Sequence, residues 1–228
     1  MTATPQRVRE ALAWLEQRGS ARVREEARTR YGIDAPKSYG VKIGEIQRLA
    51  KTLGTDHELA QALWKTGWYE ARLLCAYVDD PEQVTAAQMD AWCRDFDNWG
   101  VVDTVCFKLF DRSPLAWKKV APWCRQPGEY QRRAGLVLLA CLAAHDKSAP
   151  DEKFLDALPL IERYADDERN FVKKGALWAL RMIGGRRSTR AEALAMARRL
   201  GDSDDVTARW IGKTALREIA KRGAKTTR

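Results

Sequence analysis

Residues 133–145, RAGLVLLACLAAH, decide the fold class. Apolar side chains recur there at intervals of three and four, the spacing that gathers them on one face of an α-helix, and the run is too long for an ordinary strand. The same period appears further on in GALWALRMI (175–183) and KTALREIA (213–220), and earlier in AQALWKTG (60–67) and ALAWLEQ (11–17). Alternating strand patterns are hard to find. The expectation is an all-α protein. Helix punctuation falls at Gly32 to Pro36, Asp79 to Pro81, Gln126 to Gly128, His145 to Pro150, Gly184 to Gly185 and Gly201 to Ser203. None of these breaks is long or low in complexity, so a single continuous domain over residues 1–228 is expected.

Laid over one another, the helices share a charged residue in one register. Arg133, Lys174 and Lys213 stand 41 and 39 residues apart, and Asp103 and Glu70 continue the register backwards at intervals of 30 and 33. Such spacing is HEAT-like, and stacked helical pairs of this kind build a solenoid in which one helix of each pair lines a concave surface. A basic residue on each of the last three repeats predicts a basic groove along it. The charge distribution agrees: of a net +9, the stretch from Leu160 to Arg228 carries +8, with 17 Lys and Arg against 9 Asp and Glu. A polyanion is the natural partner of that surface, because each neutralised phosphate releases condensed counterions. A merely well-solvated surface is the alternative.

Several functions are poorly supported. The five cysteines, Cys75, Cys93, Cys106, Cys124 and Cys141, show neither CxxC nor paired spacing and read as buried small apolar residues. His57 and His145 are the only histidines and have no metal-ligand spacing; there is no GxGxxG, Walker loop or GxSxG. No cofactor and no metal are expected. The N-terminal stretch enters a charged amphipathic helix, and no segment approaches the roughly 20 apolar residues of a membrane span. A cytoplasmic protein is expected.

The segment DNWGVVDTVCFKLF (97–110) is the most informative for chemistry. Asp97 or Asn98 can cap a helix beginning near Trp99. Asp103 then falls on one stripe with Trp99, Cys106 and Phe110, where a carboxylate finds no partner from its own helix. Taking such a charge out of water costs several kcal/mol unless it is paired. Either Asp103 bonds to a neighbouring helix, or its stripe faces a cleft where the charge has a use. Further along, Val172, Ala176, Ala179, Leu180 and Ile183 form an apolar face from which Trp178 projects away, beside Lys174 and Arg181. An indole among cations suits contact with a nucleic-acid backbone; burial by an adjoining repeat is the other possibility. Chemistry open to a carboxylate and aromatic rings alone includes glycosidic cleavage, whose oxocarbenium transition state an anion and π-faces stabilise.

The ordered segments SYGVKIGEIQRLAK, NWGVVDTVC, YQRRAGLVLLA and NFVKKGALWALR, spanning nearly the whole chain, resemble the signatures of the AlkD-type alkylpurine DNA glycosylases. The most specific element is the W-x-x-x-D of Trp99 and Asp103. The resemblance implies a monomeric enzyme with no obligate protein partner that excises cationic N3- and N7-alkylated purines from duplex DNA. Trp99, Asp103 and Trp178 would form its active-site cradle. Asp103 would stabilise the positive deoxyribose or orient water, and the indoles would lie against the backbone. Arg133 and Arg181 match DNA-contacting positions, and Tyr31 and Phe171 match cleft-lining aromatics. The resemblance also implies that the base can remain in the duplex, so no deep base pocket is expected. Two departures stand out: Gly44, where proline is common, and Gly100, where an acidic residue is common and where an interior glycine costs about 1 kcal/mol relative to alanine. A non-catalytic helical-repeat module that binds nucleic acid is the competing reading, and a peptide-binding scaffold is a third.

Overall fold

The computed structural model describes residues 4–226. Among them it has thirteen α-helices, one 3-10 turn and no strand, in the order α1 (Thr4–Gln17), α2 (Ala21–Tyr31), α3 (Ile43–Leu53), α4 (His57–Trp64), α5 (Tyr69–Val78), α6 (Ala86–Arg94), α7 (Trp99–Lys108), the 3-10 turn (Phe110–Arg112), α8 (Ala116–Cys124), α9 (Glu129–His145), α10 (Asp151–Arg163), α11 (Asn170–Ile183), α12 (Arg190–Gly201) and α13 (Val206–Thr226). Each of the six expected breaks lies between two helices or at a helix end. The chain divides into two compact units, Met1–Pro114 and Leu115–Arg228.

In the second unit the helices pack as pairs, α8 on α9, α10 on α11 and α12 on α13, while α9 packs on α11 and α11 on α13. The charged residues spaced 41 and 39 apart in the sequence sit on α9, α11 and α13, so each interval is one helical pair. The quoted stretch of α9 is sheathed on all sides: every residue from Arg133 to Ala143 is buried. Gly135 permits this, because a Cβ there would meet the Cys124 amide nitrogen at 2.5 Å and the Val120 carbonyl oxygen at 2.8 Å. The apolar face of α11 read from the sequence, Val172, Ala176, Ala179, Leu180 and Ile183, has no exposed surface.

In the first unit α5 is central, packing on α3, α4 and α7, and α1 packs on α4. Six of its seven buried residues are apolar; the seventh is Glu70, with no exposed surface. Its carboxylate accepts hydrogen bonds from Ser38 Oγ (2.7 Å) and from the backbone amides of Tyr39 (3.1 Å), Gly40 (2.8 Å) and Val41 (3.2 Å). Four donors replace the lost water and fix the irregular segment before α3 against α5. Gly40, at φ +78°, is required there: a Cβ would come within 2.2 Å of the Ser20 carbonyl oxygen. All five cysteines are buried thiols, and burial pushes Cys124 up to about 12.

Candidate nucleic-acid interface

The first unit holds the NWGVVD segment. Asn98 is the residue that caps α7, its side-chain oxygen accepting from the Val101 amide at 3.0 Å, while Asp97 pairs with Arg72 at 3.2 Å. Trp99, in the first turn, donates its Nε1–H to the Tyr31 carbonyl at 2.8 Å. That carbonyl lies at the C-terminus of α2, where Gly32 adopts the left-handed conformation and turns the chain away. One indole bond therefore ties α7 to α2 across 68 residues of sequence and fixes the ring's orientation. One turn further on, Asp103 is half-buried and lines a cleft of about 540 Å³ together with Trp99, Tyr31, Gly100 and Thr104. Cys106 and Phe110, expected on the same stripe, have no exposed surface, and Phe110 lies beyond α7 in the 3-10 turn. The α7 stripe thus runs from cleft to core.

A cleft of this size beside Asp103 is more than the sequence led us to expect. Its cause is local. A Cβ on Gly100 would stand 2.8 Å from Tyr69 Oη and 3.0 Å from Ile33 Cδ1, so the missing side chain lets those groups line the space. Gly44, the other departure, faces nothing within 4 Å and affects only the start of α3. Tyr69, Glu26 and Lys42 also line the cleft, beyond the residues expected from the sequence. Tyr69 directly precedes the register residue Glu70, a placement that could have flagged it.

The second unit holds the other expected site residues. Arg133 on α9 is only 6% exposed, and its guanidinium donates to the Phe171 carbonyl at 2.7 Å. The Phe171 amide donates to Glu129 Oε1 at 3.0 Å, and the Phe171 ring lies 5.5 Å from that of Tyr130. Phe171 is thereby a junction of α9 and α11. Before α11, Asp167 accepts from Arg132 at 2.6 Å and from both Nε and Nη2 of Arg169. Burial pushes the Asp167 carboxyl up, but the bonds from Arg169 and Arg132 outweigh it and hold the group below its ordinary value. Arg181 pairs with Glu218 of α13 at 2.8 Å. Trp178 is half-buried, whereas Lys174 and Lys213 are exposed and form no ion pair among the described residues. Of the three register cations, therefore, the last two are at the surface and the first is held between helices. The sequence also passed over Trp210, 40% exposed on α13, with the Lys173 ammonium 5.7 Å from its ring centroid.

The profile of a family described as DNA alkylation repair enzyme matches residues 11–219. The chain belongs to the DNA alkylation repair enzyme family. A solved structure described as "a new family of proteins related to the HEAT-like repeat DNA glycosylases with affinity for branched DNA structures" shares the fold, with a TM-score of 0.78 over 94% of this chain and 94% of its own at 19% sequence identity. No curated protein sequence matches the chain. The DNA alkylation repair family member described here therefore has the HEAT-like all-helical fold that the sequence spacing predicts. Among the described residues, no group of three His, Cys, Asp or Glu could hold a metal ion, and no helix is long and apolar enough to cross a membrane.

Proposed function

We propose that this protein is a monofunctional DNA glycosylase that hydrolyses the N-glycosidic bond of cationic N3- or N7-alkylated purines in duplex DNA. The observation that carries the reading is the position of Asp103: a carboxylate in the wall of a largely apolar cleft, one helical turn from an indole whose direction is fixed by its bond to the Tyr31 carbonyl. An alkylated purine that already bears a positive charge leaves as a neutral base with the bonding electrons, and C1′ of the deoxyribose becomes an oxocarbenium ion. Asp103 stabilises that cation and orients the water whose oxygen adds to C1′; the proton lost by the water passes to the carboxylate and then to solvent. Trp99 supplies an electron-rich face to the same charge. In the second unit we assign Lys174, Lys213 and Trp178 to the phosphate and sugar backbone. We assign Arg133, Phe171 and Arg181 to the same interface, where their bonds to neighbouring helices set the position of α11.

Release of free base from a duplex carrying 7-methylguanine tests this, with wild type and Asp103→Asn side by side. The wild type is expected to release base, and Asp103→Asn to fold, bind duplex and turn over about 100-fold or more slowly, the usual size of a lost transition-state charge interaction. Equal rates would remove Asp103 from the mechanism.

A non-catalytic reading is favoured by one observation, the exposed Trp210 beside Lys173, which suits stacking on an unpaired base. The similar protein is itself described as having affinity for branched DNA structures. If neither protein releases base while both bind a four-way junction more tightly than duplex, that reading replaces the first.

A further inference from the structure

The register that spaces the charges also spaces a row of rings. Tyr130, Phe171 and Trp210 stand three residues before Arg133, Lys174 and Lys213, so the same intervals of 41 and 39 separate them. On α9 and α11 the row serves packing: the Tyr130 and Phe171 rings are half-buried and 5.5 Å apart, and Phe171 joins the two helices through its backbone. On α13 the equivalent ring is turned outward. Trp210 is 40% exposed, in the second turn of its helix.

The charges around it have one sign. At about 100° per residue, Val206, Trp210, Lys213, Arg217 and Lys221 fall within an arc of about 80° on α13, and all five are exposed. Lys213, Arg217 and Lys221 form no ion pair among the described residues. Glu218 is the one carboxylate between Val206 and Lys221; it lies off that arc and is taken by Arg181. From α11, Lys173 brings its ammonium to 5.7 Å from the indole centroid, within reach of a cation–π contact. The face therefore joins one open aromatic ring to a run of cations with no competing anion.

That combination sorts nucleic acids by strandedness. The cations serve any phosphate backbone, single or double. An indole needs the face of a base, and within a continuous duplex those faces are covered by the neighbouring pairs. Stacking on an aromatic side chain is open to every unpaired base, because each has a π-face.

We propose that the exposed face of α13 is a binding site for an unpaired stretch of DNA, with Trp210 as the platform for one base and Lys173, Lys213 and Arg217 on the flanking phosphates. Trp210 discriminates and the cations attract. The site does not depend on what Asp103 does: an enzyme that cleaves and a module that only binds would both carry it.

The test compares fluorescein-labelled oligo-dT with a blunt duplex of equal length, titrated with the full chain and followed by anisotropy. Wild type is expected to bind both. Trp210→Ala should weaken oligo-dT by about 5- to 140-fold, the worth of one stacked base, and blunt duplex by less than about twofold. Trp210→Phe, which keeps a π-face, should recover most of the loss. Lys213→Ala should weaken both probes and lower the salt slope for oligo-dT by about 0.7 for the phosphate it no longer neutralises. Thermal unfolding of each variant checks the fold, and Trp210→Gln carries the test if Trp210→Ala does not fold. No binding of oligo-dT by wild type, equal binding by wild type and the Trp210 variant, or an equal loss on both probes overturns the assignment. Base release from a 7-methylguanine duplex is scored separately, so failure of the glycosylase reading and failure of this site are told apart.

Discussion

The sequence register aligns Glu70 in the first unit with Lys213 in the second, and the fold treats them in opposite ways. Glu70 is fully buried under four hydrogen bonds, while Lys213 is exposed without an ion pair among the described residues. The reason lies in what each group can bond to. A carboxylate accepts, and a neighbouring irregular segment has amide N–H groups to spare. An ammonium only donates, and helix carbonyls are already used within their own helices. The register thus marks where a charge stands along the repeat, and the groups that lie opposite decide whether the site becomes architecture or surface. Arg133 lies between these cases: its several donors allow it to bond to the Phe171 carbonyl and still be buried.

The comparison can be broken most severely at Glu70. Glu70→Ala takes the carboxylate from Ser38 Oγ and from the Tyr39 and Val41 amides, leaves the Gly40 amide only its bond to Ser38 Oγ, and is expected to cost about 3 kcal/mol, read from the midpoint of chemical denaturation. The second unit has a corresponding weld at Asp167, and Asp167→Asn should cost about 2 kcal/mol at pH 7. Its pH dependence follows from the lowered carboxyl. The stabilisation is present above the unfolded-chain value of about 3.9 and disappears as pH falls through the lower folded value, so the gap in Tm between wild type and Asp167→Asn should close under acid. At the surface end of the register, Lys174→Ala should leave Tm unchanged, weaken duplex binding regardless of sequence and flatten the salt slope by about 0.9 for each phosphate that is no longer neutralised. An unchanged slope would mean that α11 does not meet DNA there. The smallest effect is expected at Gly44, where a Cβ enters open space. Gly44→Ala should stabilise by about 0.5–1 kcal/mol, a gain that the crowded Gly100 cannot give.

What could be read from the sequence was whatever depends on near neighbours along the chain. Helix period, the breaks at glycine and proline, the Asn98 cap and the apolar face of α11 all follow from residues within a few positions of one another. The interval of about 40 residues was legible because repetition brings distant segments into one pattern. The cleft was not, because its volume arises from Gly100, Ile33 and Tyr69, which meet only after folding. Nor was the pairing of Arg181 with Glu218, 37 residues apart, which changes an arginine read as facing DNA into one shared with a neighbouring helix. Trp210 was passed over because one more tryptophan in a chain with nine reads as core until its exposure is seen.

The bonds from Glu70 to residues 38–41 also have a meaning in time. They join positions about 30 residues apart through a stretch with no helix of its own, so they close only once α3, α4 and α5 have come together. Once closed, they shield the amide protons of Tyr39, Gly40 and Val41 from solvent as effectively as a helix would. In hydrogen exchange, these three amides are expected among the slow ones of the first unit, although no helix holds them.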